Sequence, residues 1–196
     1  MIAVFINLII FVSTLCVIIG YFRKDGHWDR KKGAASFRFF TCLSNVLCAI
    51  ASLLMLVFEL GGSVPFPVWL LKYLGTVSVT VTFLTVMFFL GPTMEGGYRA
   101  LLLPADNLYM HLAGPLLAII SFCFFEKGEL GFGLSLTGIL PVLAYGCLYL
   151  YKILYEKEEK RWEDFYGFNR GGNWKISFAA MIAGTFLICM LIRVLG

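Results

Sequence analysis

The stretch RFFTCLSNVL, from Arg38 to Leu47, opens a run of apolar residues that continues without a charge to Phe58. A membrane-spanning helix needs about 20 predominantly apolar residues, and this run is long enough. Its first turns nevertheless carry a cation, a threonine, a cysteine, a serine and an asparagine. Because lipid cannot satisfy such groups, the stretch predicts a spanning helix whose polar face lies against other helices or a water-filled pocket.

The rest of the chain has the same apolar character. Of its 196 residues, 60% are hydrophobic and 14% are charged, whereas soluble domains are usually about half apolar and about a quarter charged. We predict one all-α integral membrane domain, a polytopic bundle with six transmembrane helices. Their approximate ranges are 1–22, 37–60, 68–92, 107–126, 132–154 and 174–195. The runs are too long and continuous for the alternating strands of outer-membrane proteins.

The distribution of lysine and arginine predicts the orientation of these helices. Cations concentrate in the loops after the first, third and fifth helices, whereas the loop after the fourth has only Lys127 and the loop after the second has none. Cytoplasmic loops carry the excess of cations, so both termini are expected on the non-cytoplasmic side of a bacterial inner membrane, an endoplasmic reticulum or a plasma membrane. The basic loops are expected to contact anionic lipids, and no motif indicates nucleic-acid binding.

Several residues are given structural roles. The six cysteines fall within predicted spans and form no C-x-x-C pair, which favours small apolar fillers over a disulfide or a metal site. No metal or organic cofactor is expected. Lys72, near the outer start of the third helix, is predicted to extend to the interface beside Trp69. The hydroxyl series from Thr76 to Thr85 is predicted to serve helix packing.

The polar stripe on the second helix and the only histidine within a span are expected at the same depth. Arg38, Thr41 and Asn45 are spaced i, i+3, i+7, so they share one helix face. His111 lies about one turn inside the fourth helix, and Asn107 is one turn before it. Both helices are predicted to enter from the cytoplasmic side, which brings the Thr41 hydroxyl and the His111 imidazole to one level.

A hydroxyl and an imidazole within reach of each other can act as nucleophile and base, because the imidazole takes the hydroxyl proton as the oxygen attacks a carbonyl. Donors that stabilise the oxyanion or position the substrate are expected among the nearby polar residues Arg38, Ser44, Asn45, Asn107 and Tyr109. The same residues also suit a proton relay or transport through His111, and purely structural hydrogen bonding between helices. Spacing leaves these three interpretations open.

The surroundings of Thr41 and His111 resemble those in the family of androgen-induced membrane proteins and the androgen-dependent TFPI-regulating protein, including its bacterial relatives. In FRFFTCLSN (Phe37–Asn45) a threonine stands early in a helix, after a basic loop and before an asparagine, and in MHLAGP (Met110–Pro115) a histidine precedes a proline. The resemblance implies a membrane protein with several spanning helices and an atypical threonine hydrolase, with Thr41 as nucleophile and His111 as its partner.

Two departures place the chain nearer to the bacterial relatives. Thr41 and His111 are closer in sequence than expected for the animal proteins, and one additional residue precedes Asn45. We predict an intramembrane lipid-ester hydrolase that acts on fatty acyl esters, and the resemblance implies fatty acid esters of hydroxy fatty acids as substrates. The alternatives are a small proton-coupled transporter and an acyltransferase that use His111. The expected partners are a lipid substrate and the surrounding membrane lipids.

Overall fold

A computed structural model describes all 196 residues and contains six helices long and apolar enough to cross a membrane. This confirms the predicted all-α, multi-pass integral membrane architecture. In chain order the elements are α1 Ile2–Tyr21, β1 Arg23–Lys24, β2 His27–Trp28, α2 Arg30–Ser36, α3 Phe40–Leu60, α4 Phe66–Thr93, α5 Gly97–Leu102, α6 Ala105–Phe125, α7 Phe132–Tyr155 and α8 Trp174–Leu195. The spanning helices are α1, α3, α4, α6, α7 and α8.

The alternating direction of the spanning helices gives the bundle two ends. The basic end holds the loops 22–39, 94–104 and 156–173, and the opposite end holds both termini with the loops 61–65 and 126–131. At the basic end, β1 and β2 form a short antiparallel hairpin. Asp29 then caps α2, since its side chain accepts the Lys32 N–H at 2.9 Å.

Helix α4 lies at the centre of the bundle. It packs against α3, α6, α7 and α8, whereas α1 packs on α3 and α6. Of the most apolar stretch of α4, 61% is buried inside the protein, compared with 22% for α1 and for α8. Tyr73, Val77 and Val81 of α4 join Phe122 and Ile188 in the largest apolar cluster. The polar side chains of α4 are therefore enclosed by protein rather than by lipid.

Small residues allow α4 to approach its neighbours closely. A Cβ atom at Gly75 would lie 2.8 Å from the Cα atom of Cys48 on α3, so this backbone approach requires glycine. The hydroxyls of Thr76, Ser78 and Thr80 donate to carbonyls four residues earlier, at 2.9, 2.7 and 2.7 Å. These bonds satisfy the hydroxyls within the helix, so they can be buried among apolar neighbours.

Three spanning helices contain π-helical turns, at Val86–Leu90, Tyr109–Ala113, Ser121–Phe125 and Tyr151–Tyr155. Two of these turns lie just before Pro92 and Pro115. Proline lacks an N–H and crowds the preceding turn, so a wider turn at these positions accommodates it. The second of these turns contains His111, and π-helical turns are frequent at functional sites.

Candidate functional site

A small chamber of about 70 Å³ lies inside the bundle near the basic end, enclosed by the start of α3, the later part of α4, α7 and the loop 156–173. Most of its wall is apolar. The polar side chains on the wall are those of Thr41, Thr82, Thr85, Tyr145, Tyr149 and Tyr166. Thr41 is the one residue of the predicted site that lines this chamber.

The hydroxyl of Thr41 is one of two chamber hydroxyls with no partner in hydrogen-bonding geometry; Thr85 carries the other. The remaining hydroxyls are engaged: Tyr145 donates to the Arg38 carbonyl at 2.7 Å, and Tyr149 donates to Asp164 at 2.9 Å. The Tyr166 hydroxyl lies beside Thr41. The Thr41 hydroxyl therefore faces a mostly apolar space, with the Tyr166 hydroxyl as its polar neighbour.

The loop 156–173, here called the cover loop, closes the chamber at the basic end. Asp164 organises it, since its carboxylate accepts the N–H groups of Phe168 and Asn169 at 2.8 and 2.7 Å as well as the Tyr149 hydroxyl. The Tyr166 hydroxyl accepts the Phe40 N–H at 3.0 Å and so caps the start of α3. Burial raises the pKa of Tyr166, so its hydroxyl stays neutral at physiological pH.

The Arg38 side chain packs against Phe165 of the cover loop and does not line the chamber. Its guanidinium carbon is 4.8 Å from the ring centre of Phe39 and 5.7 Å from that of Phe165. The side chain is exposed, and these distances are within the range of cation–π attraction. In this position Arg38 helps to hold the cover loop against the start of α3.

A larger cleft of about 720 Å³ opens between α4 and α8 toward the surrounding lipid. Five residues line both the cleft and the chamber, Val81, Thr85, Phe89, Phe168 and Met181. The rim is strongly apolar, and Phe88 and Leu187 are 78% and 66% exposed there. The cleft and the chamber are therefore neighbouring spaces, separated by these five side chains.

His111 is buried in the π-helical turn of α6, but it lines neither the chamber nor the cleft. Its Nδ1 atom lies 2.8 Å from the carbonyl oxygen of Leu101 in α5. Because a carbonyl can only accept, Nδ1 carries the proton and Nε2 is the acceptor. No hydrogen bond joins His111 to Thr41 or to any other side chain.

Asn45 links the surroundings of Thr41 and His111. Its side-chain amide donates to the Thr41 carbonyl at 2.8 Å and to the carbonyl of Met110, the residue before His111, at 3.0 Å. Helices α3 and α6 pack closely here, since a Cβ atom at Gly114 of α6 would lie 3.3 Å from the Oδ1 atom of Asn45 on α3. The structure thus brings the two helix segments together, while the imidazole stays outside the chamber.

The other residues predicted at the site make structural contacts. Ser44 is buried, donates to the Thr41 carbonyl at 3.1 Å and lies 2.9 Å from the Thr82 hydroxyl. The Asn107 amide donates to the carbonyl of Ala100 at 3.2 Å. The Tyr109 hydroxyl faces α1, where it contacts Thr14 at 2.9 Å. None of these three predicted residues lines the chamber.

A second polar group lies at the opposite end of the bundle, and the sequence prediction missed it. Lys72 is fully buried: its Nζ donates to Asn7 Oδ1 at 2.7 Å and to Ser52 Oγ at 2.8 Å, and it lies 3.8 Å from Glu126 Oε1. The prediction that Lys72 extends to the interface is wrong. Because α4 is surrounded by other helices, the ammonium group finds its partners inside the protein.

Glu126 completes this group, here called the Lys72 cluster, which consists of Asn7, Ser52, Lys72, Ser121 and Glu126. Its Oε1 atom accepts the Asn7 amide at 2.6 Å and the Ser121 hydroxyl at 2.7 Å. The Oε2 atoms of Glu126 and of Glu59 are buried and have no hydrogen-bond partner. A lysine inside an apolar span was the signal in the sequence, since such residues are costly in membranes and usually functional.

The cysteines show a mixed arrangement. All six are free, and Cys42, Cys48, Cys123 and Cys189 are buried, as expected of small fillers between helices. Cys16 and Cys147 are exposed on the outer faces of α1 and α7. For these two the predicted packing against neighbouring helices is wrong, because neither face is covered by another helix.

Comparison of the chain with protein-family models, with curated proteins and with solved structures found no match. The architecture defines the class as a multi-pass integral membrane protein.

Proposed function

We propose that the protein is an intramembrane lipid-ester hydrolase in which the Thr41 hydroxyl is the nucleophile. The observation that supports this best is the shared wall between the lipid-facing cleft and the chamber. The cleft volume of about 720 Å³ is within the range of small-molecule pockets, about 300–1,000 Å³. An acyl chain would lie in the apolar cleft while its ester carbonyl reaches Thr41.

The reaction would proceed through an acyl-threonine. Thr41 Oγ attacks the ester carbonyl, its proton passes to Nε2 of His111, and the tetrahedral intermediate collapses as the imidazolium protonates the leaving alcohol. Water then attacks the acyl-threonine, which releases the fatty acid and restores the hydroxyl. This role requires His111 to approach the chamber when substrate binds, and catalytic contacts commonly tighten only in the substrate complex.

Two features of the chain support this assignment of roles. The bond from His111 Nδ1 to the Leu101 carbonyl leaves Nε2 as the proton acceptor. Tyr166 lies beside Thr41 and keeps its phenolic proton, so it could donate to the oxyanion. Tyr166 thus takes the role first expected of Asn45 and Ser44, whose side chains hold the backbone of Thr41.

The orientation and location belong to the same proposal. The basic end would face the cytoplasm and both termini the other side, in a bacterial inner membrane, an endoplasmic reticulum or a plasma membrane. Substrates would be fatty acyl esters, such as fatty acid esters of hydroxy fatty acids, that diffuse within the bilayer and enter between α4 and α8.

Replacement of the two reactive groups tests the chemistry. The purified protein should react with a fluorophosphonate probe and cleave a long-chain p-nitrophenyl ester. In Thr41→Ala and His111→Ala we expect labelling to disappear and kcat/KM to fall by about 1,000-fold or more. Thr85→Ala is the matched control, since it removes the other chamber hydroxyl without a partner. Persistent labelling of a folded Thr41→Ala protein would rule out Thr41 as nucleophile.

Blocking the cleft tests lateral access. Gly184 lines the cleft, and a Cβ atom there would meet nothing within 4 Å. Gly184→Phe should therefore fold normally and reduce cleavage of long-chain esters about tenfold, with little effect on a short ester. Gly20→Phe on α1, where a Cβ atom is equally unobstructed, is the control. Equal loss for short and long esters would point to a general defect instead of a blocked cleft.

An acyltransferase would use the same acyl-threonine, with an alcohol or amine in place of water.

A proton-coupled carrier is favoured by a different observation, since ionisable groups are buried toward both ends of the bundle. His111 is buried toward the basic end, and Lys72 and Glu126 are buried toward the opposite end. Flux assays in liposomes distinguish the carrier, because it should tolerate Thr41→Ala, whereas the hydrolase should not.

A further inference from the structure

The positive charge at the basic end is concentrated in one of its three loops. Residues 22–39, here called the hairpin unit, hold six cations and two acidic residues, which gives a formal net charge of +4. The cover loop holds four cations and five acidic residues, a net charge of −1, and residues 94–104 hold one of each. The hairpin unit alone therefore carries as much net positive charge as the whole chain, for which the formal value is +4.

The cations of the hairpin unit are not neutralised within the protein. All six are exposed: Arg23, Lys24, Arg30, Lys31, Lys32 and Arg38. Neither ion pair of the protein includes any of them. Of the two acidic residues, Asp29 is already engaged, because its carboxylate accepts the Lys32 N–H at the start of α2. The unit therefore presents unpaired positive charge to its surroundings, and such a patch attracts anionic partners.

The folding of the hairpin unit holds these cations close together. The β1–β2 hairpin pairs Arg23 with Trp28, so these two side chains share one face. The Lys32 Nζ atom donates to the Arg23 carbonyl at 2.7 Å and thereby ties α2 to the hairpin. Phe22 packs so closely on Gly33 of α2 that no Cβ atom would fit there. The cations therefore belong to one packed unit rather than to separate segments.

The connections of the hairpin unit place it at the membrane surface. Both of its ends continue into spanning helices, since α1 ends at Tyr21 and α3 begins at Phe40. Trp28 is 58% exposed and stacks on Phe22, with the ring centres 5.2 Å apart. Exposed tryptophan is typical of the interface between lipid and water, and cations at that level are attracted to anionic lipid.

We propose that the hairpin unit is a binding surface for the headgroups of anionic phospholipids. The lipid phosphates pair with Lys24, Arg30 and Lys31, whose side chains are exposed and free; the ammonium group of the unit that bonds within the protein is that of Lys32. The cover loop takes no part, because its net charge is negative. Anionic lipid therefore gathers beside one loop of the basic end and not beside all three. The surface shares no residue with the chamber, so the inference does not depend on the proposed reaction.

Native mass spectrometry of the full-length protein in a neutral detergent tests the proposal, because it counts bound lipids. Dioleoyl phosphatidylglycerol and dioleoyl phosphatidylcholine share their acyl chains and differ in charge. We expect wild type to bind the anionic lipid about tenfold more tightly, and Lys24→Gln/Arg30→Gln/Lys31→Gln to lose most of this preference. Lys157→Gln/Lys160→Gln/Arg170→Gln is the matched control. It removes three exposed cations from the cover loop and should keep the preference of wild type.

The same measurements define what would overturn the proposal. Equal affinity of wild type for the two lipids would do so, and so would an equal loss of preference in the two triple variants, since the charge would then act over the whole basic end. Displacement of the lipid by glycerol 3-phosphate would identify a soluble phosphate ester as the ligand. Tighter binding of a polyglutamate peptide than of the lipid would identify an acidic protein partner. Thermal unfolding midpoints equal to that of wild type would verify that both triple variants are folded.

Discussion

The two polar regions of the bundle are built on opposite principles. At the Thr41 chamber, aromatic and aliphatic walls surround the Thr41 hydroxyl, and the neighbouring tyrosine hydroxyls bond to backbone groups. At the Lys72 cluster, side chains bond directly to one another and carry formal charge. The first arrangement leaves room for a ligand, whereas the second fills its space with its own groups. The chamber is therefore suited to a substrate, whereas the cluster leaves no space for one.

The largest effect on stability is expected at the cluster. Lys72→Met removes the cation that faces the Glu126 carboxyl group and should lower the free energy of unfolding by about 3–5 kcal/mol, the usual cost of breaking a buried ion pair from one side. The double variant Lys72→Met/Glu126→Gln should recover most of that loss. Unfolding in mixed micelles measures both. If the loss in the double variant equals the sum of the losses in the two single variants, Lys72 and Glu126 do not interact. The cluster would then not be held together by bonds between its own side chains.

A smaller effect is expected at the basic end. Asp164→Ala removes the acceptor of the Tyr149 hydroxyl and of two N–H groups in the cover loop. Because water reaches this loop more easily than the cluster, we expect a loss of about 1–3 kcal/mol. Asp164→Asn keeps one carbonyl acceptor and should lose less. Thermal unfolding followed by tryptophan fluorescence reports the change, since Trp162 lies on this loop. A loss of stability as large as that for Lys72→Met would contradict the expectation that the cover loop contributes less than the buried Lys72 cluster.

The smallest effect concerns the surface pair at the end of α7. Lys152 donates to Glu156 at 2.6 Å, and this bond is the main reason that the pKa of Glu156 lies below its ordinary value of 4.5. Since the folded pKa is the lower one, the pair stabilises the protein at neutral pH and ceases to do so as the pH falls through the lowered pKa. Glu156→Gln should be slightly less stable than wild type at pH 7 and equal to it in acid. A difference that persists in acid would indicate a structural cause.

The predictable part of the site follows from helix geometry. Spacing along α3 placed Thr41 early in a spanning helix, and topology placed its neighbours on α6 at the same level, where Asn45 joins the two helices. Spacing could not show that Thr41 faces α4 and α7 while the His111 imidazole turns toward Leu101. His111 lies within the π-helical turn at Tyr109–Ala113, where the side-chain spacing of an ordinary α-helix does not apply.

Tyr166 and the cover loop could not be predicted either. Their sequence is polar and aromatic without a helical period. Their position depends on hydrogen bonds from other parts of the chain: the Phe40 N–H donates to Tyr166, and the Tyr149 hydroxyl donates to Asp164. The misplacement of Lys72 has the same origin. A lysine near a helix end normally reaches the interface, and only the central position of α4 prevents this.

The sequence by itself determined that this chain crosses the membrane six times, because continuous apolar length is a property of each segment and needs no partner. It also determined the level of each polar residue, because the rise along a helix is fixed. The tertiary structure decided which helix is surrounded by the others, that the Thr41 hydroxyl faces the chamber, and that Lys72 and Glu126 form a buried ion pair. These depend on how the helices rotate and pack against one another, and that is set by contacts between residues far apart in the chain.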